Sequence, residues 1–161
     1  MRSCGKIFDE VAARHPDIGS DRIYIDAGAM MMVMNPARFD VIVTENIFGD
    51  IASEIAAGIV GGLGVAPSAD VSKEHAVFQP CHGTAPDIAG KGVANPVATI
   101  LSAAMMLEWI GERRNDTACL NAAASIRTAT ASILESGPRT RDLAGTASSA
   151  EVSAAIAAAI S

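Results

Sequence analysis

The stretch from residue 78 to residue 96, FQPCHGTAPDIAGKGVANP, sets the tightest limit on how this chain can fold. Three glycines and three prolines interrupt it, so no helix or strand can run through its whole length. A segment of that composition is either a disordered connector or a shaped loop. Its flanks decide between the two. An apolar run of Ala76, Val77 and Phe78 leads in, and a long apolar helical pattern leads out from Pro96. A long irregular loop held between regular elements points to ligand binding. The rest of the chain reads as its scaffold.

The 161 residues suffice for one ordinary domain with a real core, and half of them are hydrophobic, which excludes a disordered chain. A formal charge of -6 leaves no basic face for nucleic acid. Cys4, Cys81 and Cys119 are far apart, odd in number and without metal-ligand spacing, which favours a reducing cytoplasm. Charged residues break every apolar run near the start, so that segment reads as neither signal peptide nor membrane span. The chain opens directly on a helical pattern with no lead-in strand, which raises the expectation of a preceding portion.

Residues 3–14 carry Ile7, Phe8, Val11 and Ala12 at helical spacing, and His15-Pro16 closes that helix. Residues 22–27 (RIYIDA) read as a strand delivering Asp26 near its end, and 28–33 as a short methionine-rich helix. Val41, Ile42 and Val43 form a continuous apolar run of the buried-strand type. A turn at 44–49 precedes a helix beginning at Asp50, and the glycines from Gly58 to Gly64 end it. After the strand at 76–78 and the loop, helices are expected over 96–112, 115–135 and 149–160, with a loop at 139–148. Strands alternating with helices make the class α/β, with a mixed sheet.

Three sets of residues can carry chemistry. Asp50 and Glu54 stand four apart, so both carboxylates leave one helix face and suit a hard divalent cation, magnesium or manganese. The same spacing also describes a solvated face with an acidic first turn. Asp26 is the second candidate, with a cap or a buried arginine pair as the alternative reading. The third is His82-Gly83-Thr84-Ala85-Pro86-Asp87, which offers an imidazole, main-chain amides, a hydroxyl and a carboxylate. A carboxylate there can accept both ribose hydroxyls and repels an additional phosphate, so Asp87 argues for NAD over NADP. Spacing alone leaves an ordinary irregular loop equally open.

FDVIVTENIFGDI, GGLGVAPSA, HGTAPDIAGKGVANP and ILSAAMML, in that order, closely resemble the isopropylmalate, isocitrate and tartrate dehydrogenase family. The resemblance runs from about Phe8 to the end of the sequence. It implies an isopropylmalate dehydrogenase-like fold and a β-decarboxylating enzyme that oxidises a malate-type 2-hydroxy acid with NAD and Mg2+ or Mn2+. By the same resemblance Asp26 is a metal ligand serving the partner subunit, Asp50 is the next ligand, and Glu54 stands where the family usually has aspartate. His82, Gly83, Thr84, Ala85, Asp87, Ile88 and Asn95 match the adenosine-binding loop. Gln79 departs from the glutamate common before the loop's proline.

Family chains are considerably longer, and their substrate arginines, catalytic tyrosine and catalytic lysine precede the region matched here. The resemblance therefore implies a C-terminal half, with residues 1–62 belonging to the dimer-forming, metal-binding domain and 63–161 to the cofactor domain. No catalytic acid or base is assigned within it. Such a half is expected to be inactive alone and to pair as a homodimer or with the preceding half, exposing sheet edges until it does. 3-Isopropylmalate is the first substrate choice, with isocitrate and tartrate or D-malate as alternatives. A non-catalytic subunit, or half of a split enzyme, is the competing class. No nucleic acid or membrane partner is expected.

Overall fold

The computed structural model describes residues 2–160. They fall into two compact units, divided between Phe48 and Gly49.

The first unit holds α1 (Arg2–Ala12) and α2 (Ile25–Met34), followed by a 3-10 turn at Pro36–Arg38. Arg22 pairs with Asp9 at 3.4 Å and Arg38 with Asp21 at 2.7 Å, both at the surface. Two strand expectations are corrected here. Residues 22–24 carry no regular structure and the helix begins at Ile25, so Asp26 lies in a first helical turn rather than at a strand end. Ala, Met and Ile from 25 onward support a helix. The run Val41–Val43 is also not a strand, and Val41 and Val43 are each 82% exposed. An extended apolar run needs a neighbouring strand to satisfy its backbone, and none pairs with it among the described residues. Met32 is buried, whereas Met30 and Met34 are exposed.

The second unit carries the loop. Helix α3 (Asn46–Val60) begins before Asp50, so that aspartate sits past the first turn and not at the helix start. Gly61 and Gly62, with φ of 122° and 105°, turn the chain into a 3-10 segment at Leu63–Val65. Strands β1 (Pro67–Val71) and β2 (Ala76–Pro80) then form an antiparallel hairpin, the one sheet among the described residues. It stands in place of the expected mixed sheet, and β1 had no counterpart in the sequence reading. The hairpin turn is stitched by Ser72, whose hydroxyl accepts from the His75 N–H at 3.0 Å.

Helix α4 (Val97–Arg114) packs on this hairpin and turns back through Asn115 and Asp116 into α5 (Thr117–Ser136). Trp109 on α4 meets Phe78 edge-on at 6.1 Å, and the Arg113 guanidinium lies 4.3 Å from the Trp109 ring while donating to the carbonyls of Ser72 and Lys73. One arginine thereby joins the hairpin turn to the helix. Helix α6 (Ser149–Ala159) returns against α5 behind a capping box of Ser148 and Glu151. The core gathers Val65, Val97, Ala129, Val152 and Ile156, flanked by Ile100, Leu101, Ile133 and Leu143. Because Val97 and Val65 sit in it, both ends of the segment bearing the loop are anchored in packed apolar contacts.

Candidate functional site

Asp50 and Glu54 leave α3 on one side, as their spacing requires. With Ser53, Leu63 and Ser68 they line a cavity of about 230 Å³ whose opposite wall is Gln79, Pro80 and Cys81, the exit of β2. That exit is fixed by strand register: Pro80 pairs with Pro67, and the Cys81 N–H donates to the Ala66 carbonyl at 3.2 Å. The hairpin thus delivers the start of the loop to the acidic face of α3. Sequence reading singled out the two carboxylates but not Ser53, which shares their helix, nor Ser68 and Cys81, which the hairpin of β1 and β2 sets side by side.

The polar groups around this cavity are carboxylate, hydroxyl and amide oxygens with one thiol. Such a set suits a hard cation that completes its shell with water and ligand oxygens. Among the described residues no three or more His, Cys, Asp or Glu side chains come together as a group that could hold a metal ion. Asp26 is exposed in the first unit, its carboxylate accepting from the Ala27 N–H at 2.8 Å. Exposure removes the desolvation cost that an apolar strand end would have imposed on this carboxylate.

Past Cys81 the chain bends through His82, whose Nδ1 lies 2.9 Å from the Gly83 carbonyl. A carbonyl oxygen only accepts, so Nδ1 is the donor in this contact. A Cβ at Gly83 would meet nothing within 4 Å, so packing does not demand glycine there; what glycine leaves is open main chain. Ala85 adopts the left-handed region, φ 44°, which costs a non-glycine residue about 1–2 kcal/mol and reverses the chain into the 3-10 turn Pro86–Ile88. Thr84 and Asp87 are exposed and Ile88 is half-buried. Lys91 donates to the Asp87 main-chain carbonyl at 2.7 Å, while the Asp87 carboxylate accepts no hydrogen bond among the described residues.

Asn95 differs from the rest of the loop. It is buried; its Nδ2 donates to Asp142 at 2.9 Å, and its Oδ1 accepts the N–H of Val97, the first residue of α4, at 3.0 Å. Asp142, in the segment that sequence reading left as a plain loop, was missed. No local pattern marks it, because its partner Asn95 lies 47 residues away. A wider cavity of about 460 Å³ lies near Gly137–Arg139 and Glu151. Its two charged side chains are already engaged: Arg139 donates to the carbonyls of Leu134 and Glu135, and Glu151 closes the α6 capping box. The smaller cavity, where the carboxylates of α3 meet the start of the loop, is the better site.

A sequence model of the isocitrate/isopropylmalate dehydrogenase family matches residues 2–158. The chain belongs to that family. Isocitrate/homoisocitrate dehydrogenase of Thermus thermophilus is 54% identical over 138 residues, covering 86% of this chain and 39% of that protein. The 3-isopropylmalate/3-methylmalate dehydrogenase of Methanocaldococcus jannaschii is 48% identical over 152 residues, covering 94% and 44%. The crystal structure of isocitrate dehydrogenase from Methylococcus capsulatus superposes with a TM-score of 0.87 at 45% identity, over 96% of this chain and 44% of that one. The chain thus spans less than half the length of these relatives, and its helices and hairpin are part of the α/β fold of isocitrate/isopropylmalate dehydrogenases. No helix among the described residues is long and apolar enough to cross a membrane.

Proposed function

We propose that this chain supplies metal ligands and the adenosine side of the cofactor site to an NAD-dependent, β-decarboxylating dehydrogenase. The observation that carries the reading is the shared cavity: Asp50 and Glu54 face the strand exit from which the loop departs. The substrate is a malate-type 2-hydroxy acid, with 3-isopropylmalate preferred over isocitrate and tartrate or D-malate. In this reading residues 1–62 contribute to a dimer-forming domain and 63–161 to the cofactor domain, in a homodimer or a complex with a preceding half.

Asp50 and Glu54 would hold Mg2+ or Mn2+, with Asp26 serving the same function toward a partner subunit. Bound there, the ion supplies Lewis-acid charge to the oxygen at C2 of the hydroxy acid. Bound along the loop, NAD supplies the hydride acceptor. Asp87 accepts the ribose hydroxyls and disfavours a phosphate on the same sugar by charge. Gly83 lets the main chain approach the ligand, and the half-buried His82, with Nδ1 on the Gly83 carbonyl, holds the loop's leading end. These residues bind and orient; none of them is assigned the proton transfers, which require groups outside this set.

The test is titration of the purified chain with NAD, NADP and Mn2+, followed by an assay of NAD reduction with 3-isopropylmalate, isocitrate, D-malate and tartrate. Expected are NAD binding stronger than NADP binding, Mn2+ binding lost in Asp50→Asn, and no turnover. Absence of both binding activities would sink the assignment, and turnover by the chain alone would sink the division of labour.

A further inference from the structure

The two halves of the loop are held in different ways. From Gly83 to Lys91 the hydrogen bonds are local ones, such as that from Lys91 to the Asp87 carbonyl. The trailing end is gripped from far along the chain. Ser149, at the head of α6, donates its N–H to the Gly92 carbonyl at 2.8 Å and its hydroxyl to the Ala94 carbonyl. Asp142 accepts from Asn95 through one carboxylate oxygen and from the hydroxyl of Thr140, itself 1% exposed, through the other. Asn95 then passes the constraint to the first N–H of α4. Space for this arrangement depends on Gly64, where a Cβ would run into the Asp142 carboxylate and come within 3.1 Å of the Asn95 Cβ.

We infer that Asp142 is a positioning residue for the cofactor loop: it orients the Asn95 amide and so fixes the trailing end against which the exposed leading half is presented to an adenosine ligand. The inference rests on the proposed adenosine-binding reading of the loop. A carboxylate suits the task because, ionised, it only accepts hydrogen bonds. Asn95 is therefore obliged to turn its NH2 toward Asp142 and its oxygen toward the helix. A hydrogen bond from a charged acceptor, partly shielded from water, is stronger than its neutral counterpart.

The experiment exchanges the two side chains. Asn95→Asp sets two carboxylates face to face, and Asp142→Ala removes the acceptor. The double variant Asn95→Asp with Asp142→Asn restores one donor and one acceptor in reversed order, and the new carboxylate at position 95 can still accept the Val97 N–H. AMP is the probe, its dissociation constant measured by calorimetry on the intact chain, with amide exchange of residues 92–95 followed in parallel. Expected is a loss of about tenfold in AMP affinity, with faster exchange, for either single variant, and recovery to within about threefold for the reversed pair. Wild-type binding that the single variants leave unchanged overturns the inference alone. So does failure of the reversed pair to recover affinity while its exchange returns to normal, since Asn95 would then be a direct ligand contact. No AMP binding by the wild-type chain overturns both this inference and the adenosine reading.

Discussion

Replacing glycine by alanine at two helical positions should move stability in opposite directions. Gly58, in α3, is exposed, and an added Cβ meets nothing within 4 Å. Only the propensity difference acts there, so Gly58→Ala should stabilise by roughly 0.5–1 kcal/mol. Gly111, near the end of α4, is buried, and the same Cβ would lie 2.8 Å from both Cγ and Cδ2 of Leu120 and 3.1 Å from the Asp116 carbonyl. Carbon contacts are comfortable at about 3.5–4.0 Å, so α5 must give by close to an ångström. Overpacking of that kind costs about 1–3 kcal/mol against a propensity gain of up to about 1, leaving Gly111→Ala neutral to about 2 kcal/mol destabilising. For a chain of this size each kcal/mol shifts Tm by about 2–4 °C. Urea unfolding followed through Trp109, the single tryptophan and a member of α4, reads the change in the right part of the molecule. Leu120 is 36% exposed, so Gly111→Ala with Leu120→Ala should cost less than the separate changes sum to. A Gly111→Ala variant more stable than wild type, or an additive double variant, would refute the close-approach argument.

Acid should unfasten two helix caps. The Asp116 carboxyl is held below the usual range first by the Cys119 main-chain N–H, then by the Cys119 thiol and the Ala118 N–H, and Glu151 is lowered by the N–H and hydroxyl of Ser148. A depressed folded value means that the stabilisation is present above the unfolded carboxylate range and is lost as pH falls through the folded one. Tm should therefore drop on acidification, and Asp116→Asn with Glu151→Gln should flatten the drop. The thiols should also separate: burial first, and then Asp116, push Cys119 up, whereas Cys81 is exposed. Peptide mapping after brief iodoacetamide treatment should find Cys81 modified well ahead of Cys119, with Asp116→Asn narrowing the gap. Equal rates would refute this.

The helices of the second unit were legible in the sequence because their signals are local. Residues 97–114 and 117–136 carry long apolar and alanine-rich patterns, Gly137 closes α5, and Ser148 with Glu151 opens α6. The strands were not. The run at 41–43 has strand-forming residues but no partner among the described residues, while PSADV, given no element by the sequence reading, becomes β1 because β2 pairs with it. Strand identity belongs to a pair, and a propensity scan sees one member. The same holds within the site. The common face of Asp50 and Glu54 follows from helical spacing, but their meeting with Gln79 and Cys81 follows from register. Asp142 stayed hidden because its contact with Asn95 spans 47 residues.

The grip of Ser149 on Gly92 and Ala94 also sets a timetable. Its hydroxyl bond to Ala94 spans 55 residues, which a ribosome adding about 5–20 residues per second takes several seconds to make. Throughout that interval the nascent chain carries the complete HGTAPD motif without the seat that shapes it. Messages or proteases that cut the chain between Asn95 and Ser149 would leave a recognisable fingerprint on a loop with nothing to hold its trailing end.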